Sequence, residues 1–225
     1  MGMEFYGDDF QGADVAPFVG INTFLHLPWI RTHKELLQAK PDVAIIGEPF
    51  DFGTTIRPGA RYGPRAIRAA STIPSPPFER FNIETGADPF GTFRTVDYGD
   101  VIVSPGDVIE SHKRMTIKVK EVLEADGIPV MLGGDHSITY ANVRAFQKKY
   151  KNIGMIHFDT HADCAPQGLT GFKYDHGAHI RRIMEMGCLK GKNYSLVGPR
   201  GYWPGRDLYK WMSDQDFQWF TMLDV

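Results

Sequence analysis

The chain has 225 residues, 42% hydrophobic and 23% charged, with 25 Lys and Arg against 27 Asp and Glu for a formal charge of −2. Such values exclude a disordered or fibrous chain. The near-neutral balance, with no basic run, argues against a sequence-independent nucleic-acid or anionic-membrane binder. No stretch approaches the ~18 apolar residues of a membrane span, Met1–Asp9 is acidic rather than a basic leader, and Cys164 with Cys188 makes no disulfide framework. The expectation is a cytoplasmic protein with an N-terminal arm over 1–40 and a single α/β domain over 41–225.

In chain order, residues 1–31 are irregular, with Pro17 and Pro28 as breakers, and Thr32–Ala39 is a short helical run. The β-branched stretch Val43–Gly47, followed by Pro49 and Gly53, reads as a buried strand. Pro64 opens a helix through Ala70, and the proline- and glycine-rich run 71–92 reads as a long loop. From Arg94 strands and helices alternate. Strands are expected at Thr95–Tyr98, Ile128–Leu132, Ile153–Phe158, Asn193–Val197 and Phe217–Met222. Helices are expected at Ser111–Asp126, Ser137–Tyr150, Gly177–Met186 and Gly205–Met212. In the first of these Met115, Val119, Val122 and Leu123 share a face, and Gly127 ends it. The pattern predicts a three-layer α/β sandwich, its central sheet mainly parallel and flanked by helices.

Ligands of such sheets sit beyond the carboxyl ends of the strands. Two strands end there in metal-ligand residue types: Ile128–Leu132 runs into Gly133-Gly134-Asp135-His136-Ser137, and Ile153–Phe158 into Asp159-Thr160-His161-Ala162-Asp163. In extended chain Asp159, His161 and Asp163 would point the same way. Carboxylate and imidazole without thiolate suits Mn, Fe, Co, Ni or Zn rather than a structural zinc knot. Cys164, of opposite parity, reads as buried filler. His157, one step deeper, reads as a buried, hydrogen-bonded residue supporting the ligands. His176 is either a helix-entry residue or a proton shuttle over the site, and His179 reads as structural. Trp203 and Trp211 read as core or subunit interface.

At these residues the sequence resembles the ureohydrolase family of arginases, agmatinases and related manganese amidinohydrolases. The matching segments are Gly133–Ser137, Phe158–Asp163 and His176-Gly177, in the family's order. Gly47–Thr54 and Arg57–Pro64 are similar to the agmatinase branch in particular. The resemblance implies a binuclear Mn2+ centre, with Ni2+ or Co2+ as other candidate ions, whose bridging hydroxide attacks a guanidinium carbon and releases urea. His136, Asp159 and Asp163 would hold one ion, His161 the other, with Asp159 bridging. His176 matches the histidine that relays a proton to the leaving amine. Agmatine, giving putrescine and urea, is the implied substrate, with guanidino acids or guanidine as alternatives. No residue is singled out for substrate binding. The family also implies a homo-oligomer, a trimer or hexamer, with no nucleic-acid or membrane partner.

One departure is large. The family's third metal motif, Ser-x-Asp-x-Asp-x-x-Asp-Pro, does not occur before Val225, and Asp224 lacks the paired aspartates that would make it a ligand. In the family the last strands insert between those that end in the two clusters. The expectation is therefore that 1–225 represents about two-thirds of an enzyme. The alternatives are a family member without catalysis that serves as an interaction subunit, and a binuclear metallophosphoesterase, which the Arg57–Pro64 and His176-Gly177 matches disfavour.

Overall fold

The computed structural model describes residues 19–73, 81–169, 171–202 and 204–225. Most of the 1–31 arm, part of the 71–92 loop and Trp203 lie outside the described residues. The elements are α1 His33–Ala39, β1 Val43–Gly47, α2 Gly63–Ser71, α3 Pro89–Thr92, β2 Thr95–Asp100, α4 Val108–Glu124 and β3 Ile128–Leu132. They continue as α5 Ile138–Lys149, β4 Ile153–Phe158, α6 His179–Glu185, β5 Leu189–Val197, α7 Arg206–Asp214 and β6 Gln218–Phe220. The parallel α/β architecture is as expected. Its strands form two sheets of three, ordered β2-β1-β3 and β4-β5-β6, every pair parallel. In chain order the first sheet ends with β3 and the second begins with β4. Among the described residues no helix is long and apolar enough to cross a membrane.

The chain falls into two compact units. The first takes residues up to Phe50 with Gly59–Val103 and Ile117–Gly134. Its central strand β1 buries Ala44, Ile45 and Ile46, with Val96 and Tyr98 of β2 and Val119 and Val122 of α4 also buried. Thr32 caps α1 in a reciprocal box with Glu35, which satisfies the free amides of the first turn. Of the arm, Pro28–Ile30 lies alongside β2: Asp97 N donates to the Pro28 carbonyl and Ile30 N to the Asp97 carbonyl, both at 2.9 Å. The Arg68 guanidinium clasps the Asp97 carboxylate at 2.7 and 2.9 Å and also reaches Asp100. Both partners of the Arg68–Asp97 pair are buried, so removing either would strand a charge.

The second unit takes Asp51–Pro58, Ser104–Thr116 and Asp135–Val225. Its core is Ile180 and Ile183 of α6, Leu189, Tyr194 and Leu196 of β5, Met212 of α7 and Phe217. Trp211 packs against this core, its ring against Phe217 and under the Arg181 guanidinium.

Element edges differ from the sequence reading for local reasons. Helix α4 starts at Val108 rather than Ser111 because the Asp107 carboxylate accepts the Glu110 amide at 2.9 Å. Helix α6 starts at His179 rather than Gly177 because Asp175 folds the preceding residues into a turn, its Oδ1 accepting Gly177 N at 2.8 Å and its carbonyl accepting Ala178 N. Strand β5 begins at Leu189, four residues early, through an irregularity opposite Ile153–Met155. Strand β6 stops at Phe220 because Asp224 closes a turn, accepting both the amide and the hydroxyl of Thr221 at 2.7 Å.

Candidate metal centre

Strand β3 runs into Gly133 and Gly134. A Cβ at Gly134 would lie 2.4 Å from the Phe50 carbonyl and 2.5 Å from that of Glu48, so only glycine permits this approach of two backbones. Asp135 follows and is buried. Its Oδ2 accepts Gly53 N and its Oδ1 accepts Ser137 N, both at 2.8 Å, and burial raises its pKa. Asp135 thus braces the turn that carries His136 and ties the 51–58 segment to it.

At the end of β4 the expected period-two alternation fails. Asp159 Oδ1 accepts His161 N at 2.8 Å, an Asx-type turn that takes the chain out of extended form, and Asp163 adopts a left-handed conformation with φ of 45°. Asp159, His161 and Asp163 therefore do not share one face through strand parity. Asp163 Oδ2 lies 2.8 Å from His136 Nδ1, and Asp159 Oδ2 lies 3.4 Å from the same nitrogen. The other Asp159 oxygen, Oδ1, is 3.7 Å from Nδ1 of His161, whose ring is more than half exposed. One carboxylate therefore stands between two imidazoles, an arrangement able to bridge two cations.

Behind His136 stand two buried imidazoles. His157 has Nδ1 2.6 Å from the Tyr194 hydroxyl and Nε2 3.6 Å from Asp159 Oδ2. His179 donates from Nδ1 to the His176 carbonyl at 2.8 Å. Burial, reinforced by neighbouring imidazoles, lowers the pKa of both, that of His179 well below the ordinary value. Neutral imidazoles are the form that binds metal. The donor atoms of His136, His157, Asp163 and His179 all lie within 4.8 Å of one another. The Nε2 atoms of His157 and His179 are buried without a hydrogen-bond partner. This donor set fits a divalent cation. Cys164 adds nothing to it, since burial pushes its thiol up to about 12 and keeps it protonated.

His176 is held from a segment more than a hundred residues upstream. Its Nε2 is 3.0 Å from Thr55 Oγ1, which is 3.1 Å from Asp175 Oδ2. The carboxylate only accepts, so the single hydroxyl proton of Thr55 goes to Asp175. Thr55 then accepts Nε2–H of His176, leaving Nδ1 for proton transfer. Thr55 and Asp175 escape a sequence reading because a loop threonine and a loop aspartate 120 residues apart carry no signature of their contact. By sequence His179 reads as structural, and nothing in the spacing of His176-Gly177-Ala178-His179 shows that its ring turns back toward His136, 4.0 Å away between ring centroids.

The family model described as the arginase family matches residues 41–225. The chain belongs to the arginase family. It is 37% identical over 204 residues to mitochondrial agmatinase of Gallus gallus, covering 91% of this chain and 57% of the relative. It is 38% identical to mitochondrial guanidino acid hydrolase of Homo sapiens, covering 91% of this chain and 55% of the relative. Among solved structures it resembles proclavaminate amidino hydrolase from Streptomyces clavuligerus, with TM-score 0.80, 29% identity, and 93% of this chain and 66% of that one covered. The chain thus spans a little over half the length of these curated relatives. Within this arginase-family chain the ligand-type residues His136, Asp159, His161 and Asp163 fall on the ends of β3 and β4, and His176 on the turn before α6.

Proposed function

We propose that the protein is a divalent-metal-dependent hydrolase of guanidino compounds, cleaving one C–N bond with water to release urea and an amine. The observation that carries this reading is the convergence of His136, Asp159 and Asp163, with Asp159 turned by its second oxygen toward His161. A guanidinium carbon is a poor electrophile and neutral water a poor nucleophile. Bound divalent ions, Mn2+ in this proposal, would supply Lewis-acid chemistry that lowers the pKa of water and positions it. His136, Asp159, His161 and Asp163 would hold them.

The remaining steps belong to the chain's own side chains. Asp135 and Gly53 fix the loop that carries Thr55 against the His136 turn. Asp175, through Thr55, fixes the tautomer of His176 so that Nδ1 is the nitrogen that exchanges protons. As the C–N bond breaks, the leaving nitrogen takes up a proton, and in this reading His176 gives it. The carboxylates offset the positive charge of a guanidinium that cations would repel.

Agmatine, cleaved to putrescine and urea, is the substrate we favour, because Gly47–Thr54 and Arg57–Pro64 resemble the agmatinase branch. The comparable identity to a guanidino acid hydrolase, 38% against 37% for an agmatinase, supports a second reading in which the substrate ends in a carboxylate. Urea release measured on agmatine, 4-guanidinobutyrate, 3-guanidinopropionate and guanidine, with Mn2+ and with chelator, separates the readings. Metal-dependent urea from agmatine above all is the expected result. No urea from any of the four overturns the proposal.

A further inference from the structure

We infer that Arg144 of α5, Arg182 of α6 and the hydroxyls of Tyr140 and Tyr174 form a binding site for a small oxyanion of the phosphate or carboxylate class, using none of the ligand-type residues at the strand ends. The argument starts from charge. Helices α5 and α6 pack against each other, and Arg182 on α6 is 8% exposed. Its Nη2 donates to the Pro166 carbonyl at 3.0 Å and to Glu185 Oε1 at 2.9 Å, but its Nε is buried without a hydrogen-bond partner. The side chain of Glu185 is more than half exposed, so a buried guanidinium is offset only by a carboxylate that stands in water. A buried donor left unpaired on a charged group calls for an explanation. Arg144 on α5 is partly buried and, among the described residues, meets no carboxylate; its guanidinium carbon lies 5.7 Å from the centre of the Tyr140 ring.

Tyr140 and Tyr174 supply the hydroxyls. Their rings lie 5.2 Å apart, centroid to centroid, and His112 and Phe172 each meet the Tyr174 ring edge-on. The two tyrosine side chains are hydrogen-bonded to each other. One such bond uses one of the two phenolic protons, which leaves the other to give. Burial and Tyr174 raise the pKa of Tyr140, whereas Arg144 and Arg182 act in the opposite sense. Both guanidinium groups therefore project their field onto the same hydroxyl, from two different helices.

The chemistry of these groups selects the ligand. Two guanidinium groups and a free phenolic proton all donate, so they suit a group that only accepts and carries negative charge on several oxygens. The carboxylates nearby are already committed. Asp175, next to Tyr174 in the chain, accepts the Thr55 hydroxyl and the Gly177 amide, and Glu185 takes Nη2 of Arg182. A cation, a guanidinium included, would be repelled.

This inference does not rest on the guanidino-hydrolase reading, and its test reads binding rather than urea release. Inorganic phosphate is titrated calorimetrically into the purified protein at fixed ionic strength, first with its metal and again after chelation. One saturable site per chain, unchanged by chelation, is expected. Arg144→Gln should weaken it at least ~10-fold through the loss of charge-assisted hydrogen bonds, and Tyr174→Phe ~2–10-fold. Arg144→Lys, which keeps the charge but not the planar fork, should recover only part of the loss. Lys148→Gln, which removes an exposed charge one turn further along α5, should leave binding within about twofold because solvent screens it. Acetate displacing phosphate as well as sulfate does assigns the site to carboxylates, and displacement by sulfate alone assigns it to phosphate-type ions; either supports the inference. No saturable binding, equal weakening by Lys148→Gln and Arg144→Gln, or binding that chelation abolishes and Arg144→Gln spares overturns it. Should Arg144→Gln not fold, Arg144→Lys and Tyr174→Phe carry the comparison.

Discussion

Replacing Asp135 tests whether the His136 turn is held as described. Asp135 is 5% exposed, and its two oxygens each accept one buried amide, Gly53 N and Ser137 N, at 2.8 Å. Asp135→Ala leaves both donors without a partner, at ~1–3 kcal/mol each, partly offset because a carboxylate that burial disfavours is removed. The net expectation is a loss of ~2–5 kcal/mol. Asp135→Asn keeps one acceptor and turns an amide NH2 toward the other donor, so about half that loss is expected. Because Asp135 adjoins His136, divalent-metal affinity should also fall ~10–100-fold. Urea denaturation followed by circular dichroism gives the first quantity and metal titration of the folded variant the second. Stability of Asp135→Ala within about 0.5 kcal/mol of the unsubstituted protein would show that these two hydrogen bonds do not hold the turn.

Thr55→Val removes the hydroxyl that links Asp175 to His176 while keeping its shape. Urea release should fall about tenfold or more in kcat with little change in KM, and its pH profile should shift, since the tautomer of His176 is no longer fixed. An unchanged pH profile would remove Thr55 from the mechanism. His112, 1% exposed and beside Ser137 and the rings of Tyr140 and Tyr174, has its pKa lowered to about 4 by burial and, less, by Arg144. Between the ordinary value of 6.5 and about 4 the unfolded chain binds a proton there and the folded chain does not. His112 therefore stabilises the fold above that window and loses about 3 kcal/mol as pH falls through it. Urea midpoints measured from pH 7 down to 4.5 should show a shallower fall in His112→Gln than in the unsubstituted protein, after correction for the variant's stability at pH 7. Equal slopes would count against it.

Much of this was legible in the sequence, and the exceptions have physical causes. Strands β1, β3 and β4 match their expected bounds because each is an apolar run closed off by glycine, proline or a polar turn. The buried stripe Met115, Val119, Val122 and Leu123 of α4 follows from helical periodicity alone. What periodicity does not carry is the path of the chain once a side chain competes for the backbone. Asp107 extends α4 and Asp175 delays α6 in that way. Asp159 capturing the His161 amide is why strand parity misplaces His161. Contacts between distant segments, such as Thr55 with Asp175 and His157 with Tyr194, have no sequence signal. The two strand-end clusters and the burial of His157 could be found, whereas the turn of the His179 ring toward His136 needed coordinates.

Metal content of the purified protein bears most directly on the claim that these strand ends build a cation centre. Elemental analysis after growth in medium supplemented with Mn2+ and Zn2+, followed by desalting, should find divalent metal in the unsubstituted protein and almost none in Asp159→Asn/Asp163→Asn of matched circular dichroism. Equal metal in both would contradict the account.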